Sequence, residues 1–389
     1  MENRLRVCVL TPGSFSIPSD RASSVEQVVY ETGKRIARQA PDIDLIILGR
    51  KANRQAARET RHGVKFVRLS PYKNSGHYIA AAVKQLAALE PDIIQVENRP
   101  RFAKRIKQSF PGRPVLLSLH STVFISPPHI SQGKLAECLS FPDRIIVNSA
   151  YLKAYLTRLA PGVAEKCEVI HPGVDTRKFA SKWAQGRKRE IRRFAALHGL
   201  AGKKVVLYVG RLIPRKGVHH LLDAFPKILR RVPNAKLVLV GGAFYGSKRE
   251  TPYVRSLRQK AKKSGGHVRF VPYVPHNRLD PWFRAADVVV VPSDKREAFG
   301  LVNVEAMASG VPVVATNGGG IAEVVADGET GILVATNRFV EHLADAVCRL
   351  LTDEALRRKM GQRGVDRAKE HFTWERTARS YRGLYARLR

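Results

Sequence analysis

Short runs of aliphatic, often β-branched residues recur along this chain, apolar on both faces and separated by longer segments with helical spacing. "LRVCVL", "LIILG", "VKFVRL", "DIIQV", "VLLSL", "RIIVN" and "CEVIHP" fill the first 175 residues, and the series restarts with "KVVLYVG", "AKLVLVGG", "HVRFVPYV", "DVVVVPS", "VPVVAT" and "TGILV". A strand without a polar face must be covered on both sides, which is the condition of a parallel sheet with helices on each face. Between the two series lies "TRKFASKWAQGRKREIRRFAALHGL", polar, charged and free of strand signals. The pattern predicts an α/β chain of two doubly wound, Rossmann-like domains, residues 1–180 and 181–370, with 181–200 as the connection. In such sheets ligands bind beyond the carboxyl ends of the strands, so the loops that follow the runs are where chemistry is expected.

Length supports this division, since 389 residues suffice for two domains that each bury a core. The amino-terminal "MENRLRVCVLTPGSF" holds an apolar run too short for a signal sequence or a membrane span, which predicts a cytoplasmic protein. Cys8, Cys138, Cys167 and Cys348 are scattered without a CxxC pair and read as buried thiols of a reducing compartment. The net charge of +35 is spread evenly, with 32 Lys and Arg against 16 Asp and Glu through residue 190 and 36 against 17 beyond it. An even excess is not a nucleic-acid-binding tail, and no specific nucleic-acid partner is expected. It leaves two readings open: a basic surface with no dedicated partner, or attraction to a polyanion such as an anionic membrane surface or an acidic glycan.

Two loops of the second half carry the chemistry. After "KVVLYV" comes "GRLIPRKGVHHLLDAF", in which Gly210 permits a tight turn, Arg211 and Lys216 set two cations on one loop, and a helix follows. Fixed cations beside a helix start suit a diphosphate. After "DVVVVPS" comes "REAFGLVNVEAMASG", where a helix is expected from Gly300–Leu301 to Gly310. Its first backbone N–H groups, at Gly300, Leu301 and Val302, are free to meet an anion. Glu305 lies along that helix, and Glu297 precedes it on the loop. "VPVVATNGGGIAEVV" then supplies three glycines, Gly318 to Gly320, that let a ligand approach the backbone closely, and a helix carrying Glu323.

"GRLIPRKGVHHLLDAF", "EAFGLVNVEAMASGVPVVATNGGGIAEVV" and "DGETGILV" together resemble the nucleotide-sugar-binding half of the retaining glycosyltransferases of family four. The Glu-(seven residues)-Glu spacing with Phe-Gly, the paired Arg/Lys loop and the glycine-rich loop stand in family order. The terminal "HFTWERTARSYRGLYARL" resembles the family's last helix, which implies that residues 371–389 cross back onto the first domain. "DIIQVENRPRF" and "LLSLHSTV" additionally resemble the spore coat protein SA subgroup of endospore formers, which implies spore-coat association.

The resemblance implies the GT-B fold, two such domains facing a central cleft, and transfer of a sugar from a nucleotide diphosphate donor, UDP-sugar favoured, to an acceptor hydroxyl. It implies no cofactor beyond the donor, no metal, and a glycan, lipid or small-molecule acceptor. By the same resemblance Arg211 and Lys216 hold the donor diphosphate, Glu305 the ribose hydroxyls, and Glu297 the donor sugar. Gly210, Tyr273, Val274, Phe299, Gly300, Leu301 and Val302 complete the donor site. His120 reaches the scissile region from the first domain, with Ser23, Ser24, Glu97, Asn98 and Arg99 on the acceptor side.

The chain departs from the family at two points. Where the first helix usually opens with Gly-Gly-x-Glu it has "SSVE", in which Ser24 with Gln27 is expected to form a capping box. Pro272 stands where glycine is common, beside the base pocket. An isomerase of the same architecture, a sugar-nucleotide 2-epimerase, and a non-catalytic coat component are the alternative readings. Asp42 and Asp44 have the Asp-x-Asp spacing of metal-dependent transferases but lead into a strand, so no metal is assigned to them. His62, His77, His129, His219 and His220 read as surface residues, and the loop after "VCVLTPG" lacks the GxGxxG spacing of dinucleotide enzymes.

Overall fold

A computed structural model describes residues 4–18, 23–53, 55–70, 72, 74–247 and 249–389. The chain forms two units, one of residues through Gly173 together with Trp374–Arg389, the other of Val174–Thr373. Among the described residues the first unit has eight strands: β1 (Leu5–Leu10), β2 (Ile43–Arg50), β3 (Arg58–Arg61), β4 (Val64–Leu69), β5 (Ile93–Glu97), β6 (Val115–Leu119), β7 (Arg144–Val147) and β8 (Cys167–Val169). They lie in the order β3-β4-β2-β1-β5-β6-β7-β8. Every pairing is parallel except β3 with β4. Strand β3 is the polar edge "RETR", exposed at all four positions, and nothing apolar marks it in the sequence.

The second unit holds β9 (Lys204–Val209), β10 (Ala235–Val240), β11 (Val268–Val271), β12 (Val288–Val291), β13 (Val313–Thr316) and β14 (Gly331–Val334). Their order is β11-β10-β9-β12-β13-β14, parallel throughout. Alternate residues of one strand feed opposite cores: Leu207 and Val289 join one buried cluster, Val206, Val288 and Val290 the other. That two-sided burial is why these strands read as continuous apolar runs. The direction of winding reverses between β9 and β12, and in the first unit between β1 and β5, and each reversal opens a crevice at the carboxyl ends.

The stretch expected as a connection packs as part of the second unit. Phe179 is buried edge-on to Phe283 at 5.6 Å, Trp183 donates its indole N–H to the Gly310 carbonyl at 2.8 Å, and helix Arg187–Leu197 sets Phe194 against Trp282 at 5.0 Å. Three aromatic anchors hold a segment whose composition is otherwise that of a linker, and the chain passes between units at Gly173–Val174, ahead of residue 181. The last helix, Trp374–Ala386, belongs to the first unit. It buries Tyr381, Leu384 and Tyr385 in the cluster that contains Val29 and Ile36 of helix Ser24–Gln39. The capping box of that earlier helix is one residue off the expected register. Ser23 caps it and Glu26, in place of Gln27, returns the bond to the Ser23 N–H at 3.2 Å, because the chain leaves extended geometry at Ser23. All four cysteines are free and buried, and burial pushes the Cys8 thiol up to about 12.

Candidate active site

In the second unit the carboxyl end of β9 leads through Gly210 to Arg211 and a short turn, Pro214–Lys216, before helix Val218–Arg231. Gly217, between turn and helix, has φ +67°, and a Cβ there would lie 1.8 Å from the Pro292 carbonyl oxygen. Only glycine lets the Lys216 loop sit against the end of β12. The two loops are then stitched together. Asp294 donates its N–H to the Arg215 carbonyl at 2.9 Å, the Arg215 guanidinium pairs with the Asp294 carboxylate at 3.1 Å, and the Lys216 ammonium donates to Glu297.

Glu297 is part-buried, and burial alone would raise its carboxyl. The charge and hydrogen bond of Lys216, with Arg215 beyond, outweigh burial and hold it below the usual carboxylate range. Gly319 and Gly320 let the backbone pack closely against this loop. A Cβ at Gly320 would lie 1.9 Å from the Ala298 oxygen, and its N–H donates to the Glu297 carbonyl at 2.9 Å. Arg211 has no carboxylate within 4 Å among the described residues. Its guanidinium lies 5.7 Å from the Tyr245 ring, which meets Tyr273 edge-on at 6.2 Å, and its carbonyl accepts from Tyr208 at 2.7 Å.

Helix Leu301–Ala308 starts after Gly300 with no side-chain cap, leaving the first N–H groups of Leu301 and Val302 for another acceptor. Glu305, 4 % exposed, meets His276 Nε2 at 2.7 Å. His276 is fixed in turn by Lys178, which donates to its carbonyl at 2.7 Å, and by the Phe179 ring at 5.4 Å. Neither His276 nor Lys178 is marked by any local pattern, and His276 follows β11 in "VPYVPH" with only that placement as a signal. Tyr273 and Val274 are half-buried after the same strand, and Val274 packs against the core that Leu301 also packs against. Phe299 differs from expectation: its side chain is in that core, edge-on to Phe372 at 5.7 Å, so only its main chain can face a ligand.

In the first unit Glu97 ends β5, and Asn98 follows in the left-handed region at φ +56°. Asn98 Oδ1 accepts the His120 N–H at 3.2 Å, and Asn148 donates to the His120 carbonyl at 3.1 Å. His120 Nε2 meets Glu97 Oε2 at 2.6 Å. Arg99 stacks on Phe124 at 3.7 Å and bonds the Asn98 carbonyl and Ser14, and burial lowers its guanidinium. Ser23 is engaged in its cap, and Ser24 is exposed on the first turn. Each unit therefore gathers its expected residues at the carboxyl side of its own sheet. Asp44, by contrast, begins β2, where Lys65 pairs with it at 2.7 Å. Among the described residues no three or more His, Cys, Asp or Glu side chains are placed to hold a metal. His62, His77 and His129 are exposed. His219 and His220 correct the surface reading: they are half-buried with their rings tilted 42° at 3.9 Å, and His219 bonds Tyr253 at 2.9 Å.

Comparison with known proteins bears on the whole chain. The family described as Glycosyltransferase Family 4 matches residues 25–178, and Glycosyl transferases group 1 matches residues 191–367. The putative glycosyltransferase YtcC of Bacillus subtilis (strain 168) is 32% identical over 329 residues, 84% of this chain and 79% of that protein. The chain belongs to the group 1 glycosyltransferases. This glycosyltransferase is also 27% identical over 385 residues to spore coat protein SA of the same organism, covering 99% of this chain and 100% of that one. Its GT-B fold is shared with Anabaena Alr3699/HepE, solved in complex with UDP-glucose, at a TM-score of 0.79 and 22% identity over 99% of this chain and 100% of the other.

Proposed function

We propose that this glycosyltransferase moves a sugar from a nucleotide diphosphate donor, in UDP form, to an acceptor hydroxyl with retention of anomeric configuration and without a metal ion. One observation carries the reading: Arg211, with no carboxylate within 4 Å among the described residues, stands on the same loop as a lysine already paired with a carboxylate, Lys216 with Glu297. The cations neutralise the departing diphosphate together with the Leu301 and Val302 N–H groups. Glu297 and Glu305 accept hydroxyls, Glu297 from the sugar and Glu305 from the ribose, so the donor is oriented as well as attracted. The UDP-glucose held by the Anabaena neighbour supports the uridine form. In the transfer the anomeric C–O bond to phosphate breaks as the acceptor oxygen bonds the same carbon on the same face, and the acceptor proton passes to the released phosphate oxygen.

The test is turnover of UDP-sugars with the product's anomeric configuration read by NMR. An inverted product overturns the same-face mechanism, and conversion of donor without acceptor identifies an epimerase. Activity is expected to persist in EDTA, because the charge on the leaving group is met by Arg211 and Lys216. Loss on chelation with recovery on adding manganese would overturn the metal-free step.

The basic surface has a local concentration that favours an anionic membrane over no partner. Helix Arg187–Leu197 exposes Lys188, Arg189, Arg192 and Arg193, and ends on Leu197, which is 74 % exposed. Next to it Arg269 bonds the His198 carbonyl, and burial with the charges of Lys203 and Arg269 lowers the Lys236 ammonium. No helix of the described residues is long and apolar enough to cross a membrane. Binding to phosphatidylserine vesicles is therefore expected at low salt and should fall steeply above ~0.1 M, while donor affinity hardly changes. Vesicle binding indifferent to salt, or none at low salt, sinks the membrane reading.

A further inference from the structure

A buried chain of side chains leads from the last helix to His120, and it has a direction. Tyr385, 1 % exposed, lies 2.7 Å from Gln95 Oε1; Gln95 Nε2 lies 2.5 Å from Glu97 Oε1; Glu97 Oε2 lies 2.6 Å from His120 Nε2. A carboxylate only accepts hydrogen bonds, so Gln95 must turn its amide NH₂ toward Glu97 and its oxygen toward Tyr385. The Tyr385 hydroxyl, kept neutral because burial raises it well above its ordinary value, must then donate. At the other end the bond to Glu97 requires the proton on His120 Nε2. Among the described residues no hydrogen bond reaches Nδ1, which is left as the ring's acceptor.

We propose that Tyr385 and Gln95 are positioning residues that act through Glu97 to hold His120 as the Nε2–H tautomer, with Nδ1 open to accept a hydroxyl of donor or acceptor. The inference rests on the reading that His120 serves the transfer. Its own content is that the last helix, far along the chain, completes the histidine's hydrogen-bonding state. Two buried donors are needed because a carboxylate 1 % exposed with one donor removed is left partly unsatisfied and free to rotate away from the imidazole.

The test uses the full chain with Tyr385→Phe, Gln95→Leu, His120→Ala and, as a control just past the end of the same helix, Arg387→Ala, which removes an exposed pair with Glu168 at 2.6 Å. Gln95→Leu, which removes a hydrogen bond to a charged group, should lower kcat by about ten- to hundredfold, and Tyr385→Phe, which removes one between neutral groups, by about two- to tenfold. Nucleoside diphosphate Kd should stay within about twofold. Arg387→Ala should keep its kcat. In protein labelled with ¹⁵N-histidine, His120 should show protonated Nε2 and bare Nδ1, and Gln95→Leu should mix the tautomers. If Gln95→Leu fails to fold, Tyr385→Phe, which loses a single oxygen atom, decides alone. Full kcat in the relay variants with an inactive His120→Ala overturns the relay, and so does a wild-type Nδ1–H tautomer. A fully active His120→Ala overturns instead the reading on which the relay rests.

Discussion

Lys216→Met is expected to cost more than Arg211→Ala, although both cations stand at the end of one strand. Arg211 has one task in the proposed site, and losing a charge-assisted bond of about 1.5–3 kcal/mol should weaken nucleoside diphosphate binding by roughly one to two decades. Lys216 has two, because it also neutralises Glu297. Without it a part-buried carboxylate faces the incoming diphosphate with its charge unmet, and the loss should reach about two to three decades. The double variant Lys216→Met with Glu297→Gln should recover part of that loss, and failure to recover any would show that the pair does not govern donor binding. Stability should follow the same logic with pH. Glu297 is held below its ordinary 4.5, so its pairing stabilises the fold fully above that value and the stabilisation is lost as pH falls through the lower folded value. The difference in unfolding temperature between wild type and Lys216→Met should therefore be largest near neutrality and close below about pH 4.5.

Glu297→Gln and Glu305→Gln should separate the two ends of the donor. Glu305 keeps one oxygen on His276 and has the other for the ribose, so Glu305→Gln should weaken bare nucleoside diphosphate by about tenfold, one charged hydrogen bond. Glu297→Gln should leave that affinity nearly intact while kcat for the sugar nucleotide falls by about two decades. Isothermal titration with UDP set against turnover of the UDP-sugar measures both. Equal weakening of the bare nucleotide by the two substitutions would place Glu297 at the wrong end.

The two sheets were legible because burial on both faces makes the middle of β9 and all of β12 continuous apolar runs. Elements held by few anchors were not. Phe179, Trp183 and Phe194 fasten the 176–200 stretch, and three aromatics among so many charges look like a linker. The capping box was visible as a composition and expected of Ser24 with Gln27, but Ser23 with Glu26 forms it. The choice lay in which serine keeps extended geometry, which is a matter of packing. At the candidate site, the loops with Arg211, Lys216, Glu297 and Glu305 could be read from their place after strands, and the roles of those residues only through the family resemblance. Their partners could not, because His276 lies 29 residues from Glu305 and Tyr385 lies 290 from Gln95. The glycines at 318–320 were legible as close backbone approach, and at Gly319 and Gly320 the 297–298 backbone approaches that closely.

The first unit is made of two stretches of chain separated by the whole of Val174–Thr373. On the ribosome its sheet emerges first but lacks Tyr381, Leu384 and Tyr385, three residues of its buried cluster, until the final helix is made. At about 5–20 residues per second that interval lasts on the order of 10–40 s, during which the intervening unit, continuous in sequence, can fold unaided. The earlier-made sheet thus waits, with part of its apolar face uncovered, for a segment translated only after the whole of the second unit. Vectorial synthesis should make the nascent first unit a client of chaperones that shield exposed apolar surface, and release should coincide with the arrival of Trp374–Ala386.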